Sequence, residues 1–236
     1  MTWHPDSSAR PGDASSPAEL QRHPVQIPAD PVVLDGDLDI PAALRGVVVF
    51  AHGSGSSRHS SRNRSVASAL NRVGYATLLL DLLTPAEDRD PANRFDIGLL
   101  TERLAMAVSW VRQQRGLDDL PVGLFGASTG AAAAINAAAS RQRGIAAVVS
   151  RGGRPDMAEV QSLADVVAPT LLVVGGDDRQ VLDLNRAAQA LMTTHAELVV
   201  IPGATHLFEE PGALEKVAEI AAAWYLRWMP GIRSAR

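Results

Sequence analysis

The chain has no cysteine, and that absence removes disulfides, thiolate metal sites and a cysteine nucleophile together. Lysine is nearly as scarce: Lys216 stands alone among basic residues that are otherwise arginine. The basic residues are scattered and the formal net charge is -4, so neither a nucleic-acid footprint nor a polybasic membrane anchor is expected. The N-terminal stretch "MTWHPDSSARPGDASSPAELQRHP" lacks the apolar core of a signal peptide. Its Pro, Ser, Asp and Ala content reads as a flexible tail over residues 1–23, and a cytoplasmic protein is the expectation. The six histidines show no ligand spacing, so no metal or cofactor is expected.

What is present is an ordinary globular composition. Hydrophobic residues make up 46% and charged residues 20% of 236 residues, which suits one large domain, taken here as residues 24–236. The longest run of low polarity, Pro121 to Ala139, holds three glycines, a serine and a threonine. It reads as buried core crossed by a turn, not as a membrane span.

"VQIP" and "VVLDGDL" suit a pair of antiparallel edge strands. Six apolar runs follow, each too short for a helix: 46–52, 75–81, 121–126, 145–150, 168–176 and 196–203. Each is expected to be a strand covered on both faces. Helical spacing fills the intervals at 63–73, 97–114, 129–139, 182–192 and 214–228. Such alternation predicts an α/β fold, a mostly parallel, doubly wound sheet with helices on both faces. Chemistry is then expected in the loops that leave the C-terminal ends of the strands.

Four strand ends carry candidate residues. "GASTG" places Ser128 between Gly126 and Gly130 at a strand-to-helix junction. A turn sharp enough to expose a nucleophile needs glycines two residues either side, and the following helix N-terminus favours a developing anion. A serine cap on a closely packed helix is the plainer alternative. "FAHGSGSSRHSS" offers small residues whose backbone can supply an oxyanion donor, by position the N–H of Ser54, to act with the N–H of Thr129. This loop is neither a phosphate loop nor a dinucleotide fingerprint, because no Gly-Lys-Ser/Thr follows and Arg58 stands where a third glycine belongs. "VVGGDDRQV" brings Asp177 and Asp178, which taken alone suit a solvated turn. "IPGATHLFEEPG" brings His206 in a loop before the last helix.

Serine, aspartate and histidine in that order, each after a different strand, resemble the α/β-hydrolase chain order. From about Val25 to Trp228 the chain resembles the dienelactone-hydrolase-like group, in "VVFAHGSGSSRHSSRNR", "LLLDLLTPAE", "GLFGASTGAAAA", "VVSRGGRPD", "PTLLVVGGDD" and "PGATHLFEEPG". The resemblance implies Ser128 as nucleophile, His206 as base then acid, and Asp178, rather than Asp177, as the carboxylate that orients the imidazole. The enzyme that names the group uses a cysteine, so the serine here implies a serine esterase acting on small-molecule esters, not on dienelactone itself. The short connection from Ser150 to Pro169 implies an open cleft without a cap domain.

Arginines lie near the expected site: Arg58, Arg62 and Arg64 after the first parallel strand, and Arg151 and Arg154 in "SRGGRPD". Arg58 and Arg151 are candidates for an anionic substrate group, while pairing with Asp81, Asp90 or Asp156 is the structural alternative for the set. His59 is expected to be structural or exposed. Acyl transfer or thioester hydrolysis through the same triad stays open as an activity. So does a binding or regulatory module that keeps the fold without the chemistry.

Overall fold

The computed structural model of the chain describes residues 20–140 and 144–231. Most of the expected tail, 1–23, lies outside the described residues, and the first strand already begins at Gln21, ahead of the expected domain start. β1 (Gln21–Ala29) and β2 (Val32–Ile40) form an antiparallel hairpin whose register runs from Gln21 opposite Ile40 to Ala29 opposite Val32. β2 then pairs antiparallel with β4 (Tyr75–Leu80). The remaining strands are parallel: β3 (Gly46–Ala51), β5 (Val122–Ala127), β6 (Ile145–Arg151), β7 (Thr170–Gly175) and β8 (Ala196–Ile201). The order across the eight-stranded sheet is β1-β2-β4-β3-β5-β6-β7-β8.

Helices cover both faces. α1 (Ser61–Arg72) and α6 (Ala213–Trp228) bury Val66, Leu70, Val217 and Tyr225 against Val48, Phe50 and Phe125. On the opposite face, α2 (Ile97–Val111) and α3 (Thr129–Ala139) pack Leu104, Val108, Ala133 and Ala137 against Val47, Val49 and Leu124. Successive β3 residues therefore point to opposite cores, as a period of two requires. That is why the run reads as unbroken Val and Phe. α3 can lie this close to the sheet because its facing positions are alanines.

Three expectations shift. β8 is the sheet edge and only its last residue is buried, so it is not covered on both faces as its apolar run suggested. The 150–169 connection carries a short α4 (Val160–Asp165) that the spacing did not reveal, yet it builds no cap domain. α5 (Arg179–Leu191) begins directly after Asp178, not at Leu182. No helix among the described residues is long and apolar enough to cross a membrane.

The chain runs from β3 outward to β4, then returns past β3 to β5. This reversal leaves a crevice outside the carboxyl ends of β3 and β5, where ligands bind in open α/β sheets. Ser54 and Ser128 both follow these two strand ends.

Candidate active site

Ser128 sits between β5 and α3 with φ 50° and ψ −121°. A non-glycine residue held at positive φ costs energy, and it persists only where its surroundings dictate it. Here they do. A Cβ on Gly126 would lie 2.4 Å from Ala131 Cα, and one on Gly130 would lie 2.2 Å from the Ala51 carbonyl oxygen. The glycines let the turn close against its neighbours. The Ser128 N–H donates to Arg151 O (3.3 Å), and the Ser128 carbonyl accepts from Ala131 (3.1 Å) and Arg154 (3.0 Å). Its side chain makes no cap bond to α3, so the hydroxyl is not acting as a helix cap.

Asp178 and His206 are brought together from the ends of β7 and β8. Asp178 stands at the N-cap of α5, where an aspartate side chain ordinarily accepts from the first helical turn. It makes no such bond. Its Oδ2 instead accepts from His206 Nδ1 at 2.7 Å, which leaves Nε2 as the imidazole acceptor. Asp177, the neighbouring candidate, is exposed and does not reach the histidine. The His206 loop is pinned by Phe208, a buried residue that takes φ 56° to enter the core beneath α6.

Ser128 and His206 face a common cavity of about 220 Å³, lined also by Gly53, Ser54, Arg62, Arg151 and Leu207. His206 Nε2 has no hydrogen-bond partner among the described residues, Ser128 Oγ included. Catalytic hydrogen bonds commonly close only when substrate is present.

The oxyanion side differs from expectation at one atom. The Ser54 N–H is not open to the cavity: it donates to Thr129 Oγ1 at 3.0 Å. Thr129 opens α3, where an N–H has no intrahelical acceptor. The loop itself is held by His52, which sequence reasoning passed over. Its Nδ1 bonds Gly53 O (2.9 Å) and its Nε2 accepts from Leu82 N–H (3.1 Å). Burial lowers its pKa, so it stays neutral with both nitrogens spent. The signal available was its place beside Gly53, but its partner lies 30 residues away.

The arginines separate. Arg58, expected to be available to an anionic substrate, is instead bound to Asp81 through both its guanidinium and its backbone N–H (2.7 Å), with Asp35 and Asp37 at 3.9 and 4.0 Å. It is not among the residues that line the Ser128 cavity. Arg64 pairs with Asp37, Arg154 with Asp156, and Arg62 with Glu209. Exposed His59 receives only a contact from Arg64. Arg151 lines the cavity and is paired with no carboxylate of the described residues.

The family model of the dienelactone hydrolase family matches residues 34–230. The chain is 56% identical over 219 residues to a protein of Mycobacterium tuberculosis H37Rv named putative phosphoribosyl transferase Rv0571c, covering 93% of this chain and 49% of that one. The chain thus spans about half the length of that curated relative. Among solved structures, a dienelactone hydrolase from Anabaena variabilis is 50% identical with a TM-score of 0.85, covering 89% of this chain and 99% of its own. XC6422 from Xanthomonas campestris, an α/β serine hydrolase without a lid, shares the fold at 21% identity and a TM-score of 0.75, covering 90% and 97%. With that match over residues 34–230 and its lidless α/β sheet, the chain belongs to the dienelactone hydrolase family.

Proposed function

We propose that the protein is a serine hydrolase that cleaves carboxylic esters of small molecules through an acyl-enzyme. The observation that carries this reading is the 2.7 Å bond from His206 Nδ1 to Asp178, in a cavity shared with a serine held at positive φ. Ser128 Oγ attacks the ester carbonyl as His206 Nε2 takes its proton, and Asp178 stabilises the imidazolium. The C–O bond to the leaving group then breaks, and the alcohol departs with that proton. Water, deprotonated by Nε2, adds to the acyl carbon, and the acid leaves as Ser128 recovers its hydrogen.

The Thr129 N–H is one oxyanion donor. The Ser54 N–H becomes the second when the oxyanion replaces Thr129 Oγ1 as its acceptor. The transferase name of the Mycobacterium relative describes a protein of which this chain covers 49%, and it is not carried over. Ser128→Ala is expected to remove turnover of p-nitrophenyl acetate and butyrate and labelling by a fluorophosphonate, with the circular-dichroism spectrum unchanged. Retained turnover in that variant would refute the assignment.

A further inference from the structure

The buried face of α5 is Val181, Leu182, Asn185 and Ala188, so an amide interrupts an otherwise apolar stripe. Asparagine is a poor residue for a helix interior, and a buried amide costs free energy unless it is hydrogen-bonded. Asn185 is fully buried, and its Nδ2 donates to the Gly153 carbonyl at 2.9 Å and back to the Val181 carbonyl at 2.8 Å. Gly153 is itself buried, and its carbonyl therefore needs the donor that Asn185 supplies.

The turn that Asn185 holds touches the rest of the candidate site. The Arg151 carbonyl accepts from the Ser128 N–H, and the Arg154 N–H donates to the Ser128 carbonyl at 3.0 Å. Gly153 lies tight against the start of α3, where a Cβ on it would collide with Ser150 Oγ and Ala131 Cβ. Gly152, at φ 50°, backs the histidine. A Cβ on it would stand 3.1 Å from the His206 carbonyl oxygen and 3.6 Å from His206 Cε1, the carbon between the two ring nitrogens. Asp178, which accepts from that ring, opens α5 about two turns before Asn185 and on the same helix face. The helix that supplies the carboxylate thus also clamps the turn beside the imidazole.

Resting on the esterase reading above, we infer that Asn185 is a positioning residue for the Ser128 reaction. Its hold on Gly153 keeps Gly152 against His206, and so sets where Nε2 stands relative to Ser128 Oγ. Asn71 gives the contrast. It is buried too, and its Nδ2 donates to the Tyr75 carbonyl at 2.9 Å and to Thr77 Oγ1 at 3.1 Å. Those bonds tie α1 to the start of β4, at the end of the sheet away from the cavity. A small displacement of a reacting group slows the chemical step far more than it weakens substrate binding. Loss of the Asn185 donor is therefore expected to act on kcat.

The experiment compares Asn185→Leu and Asn185→Ala with Asn71→Leu, using p-nitrophenyl butyrate at a temperature where circular dichroism shows each protein folded. Both Asn185 variants are expected to lose at least about tenfold in kcat with KM within about twofold of wild type, and Asn71→Leu to keep its kcat within about twofold. In parallel, the ¹H–¹³C spectrum of the histidine Cε1 groups is recorded, with the His206 peak identified by its absence from His206→Ala. That peak is expected to move in both Asn185 variants and to stay in place in Asn71→Leu.

An unmoved His206 peak in a folded Asn185 variant overturns the proposal, whatever the rate. So does a moved peak with kcat unchanged, a change confined to KM, or an equal loss of kcat in Asn71→Leu. If neither Asn185 variant folds, Gly152→Ala decides, because its methyl group meets His206: wild-type kcat or an unmoved peak in that variant overturns the proposal. If the wild-type protein turns over no ester, the esterase reading fails alone, and the His206 peak, which needs no substrate, still decides whether Asn185 holds the imidazole.

Discussion

The two ends of the candidate site spend their polar groups differently. At the β3 end His52 uses both nitrogens, the Arg58 guanidinium is held by Asp81 although its Nε has no hydrogen bond, and the Ser54 N–H is held by Thr129. At the ends of β6 and β8, His206 keeps Nε2 open and Arg151 keeps most of its guanidinium unpartnered, both toward one cavity. Fully paired groups hold a loop in place, and groups with spare capacity are available to a ligand. On the proposed esterase reading, the first end serves as scaffold and the second carries the chemistry, although both ends carry a histidine and an arginine.

The sharpest way to break this contrast is to remove one histidine at a time. His206→Ala is expected to lower kcat for p-nitrophenyl butyrate by about a thousandfold or more, as loss of a triad base does. Because the side chain is 37% exposed, its thermal midpoint is expected to move little. A loss of rate under tenfold would move His206 to the scaffold side.

The arginines are expected to differ in sign. Arg58→Met leaves Asp81 and its acidic neighbours without their cation and is expected to destabilise the fold by about 1–2 kcal/mol. Arg151→Met removes a desolvated, unpaired charge and is expected to stabilise it by about 1–3 kcal/mol, measured by urea unfolding at pH 7. The sign follows from the depressed folded pKa of about 10: below it, the folded state bears a penalty that the unfolded chain does not. Destabilisation by both variants would place Arg151 among the structural groups.

The smallest expected effect concerns His52. Its folded pKa is lowered by burial, so its stabilisation is present above the ordinary histidine value of about 6.5 and is lost as pH falls toward the folded value. His52→Gln is expected to cost about 1–2 kcal/mol at pH 7 and progressively less by pH 5, read from thermal midpoints of the two proteins across that range. A constant difference at every pH would show that His52 does not stay neutral in the fold.

Most of the strands were legible because buried parallel strands read as short unbroken apolar runs between helical intervals, and the places of Ser128, Asp178 and His206 at strand ends were legible because each follows one of those runs. The edge position of β8 was not, since an edge strand and an inner strand share the same apolar run and differ only in their neighbours. Short α4 offers too few residues for helical periodicity.

The arginines were harder to sort. Arg58 is claimed by Asp35 and Asp37, which reach it because β2 pairs antiparallel with β4, and by Asp81 just beyond β4. Arg151 has no such claimant. Counting charges near the motif cannot separate these cases, because pairing is set by strand order. For the same reason the bond from the Ser54 amide to Thr129 Oγ1, which joins residues 75 apart, was not legible.

The central claim is that Ser128 is the atom that becomes acylated. Its most direct test is to treat the wild-type protein with a fluorophosphonate, digest it and locate the adduct by mass spectrometry. The account predicts one stoichiometric adduct, on Ser128, that is absent from His206→Ala under the same conditions. An adduct on another residue, or no adduct in protein that turns over p-nitrophenyl butyrate, would contradict it.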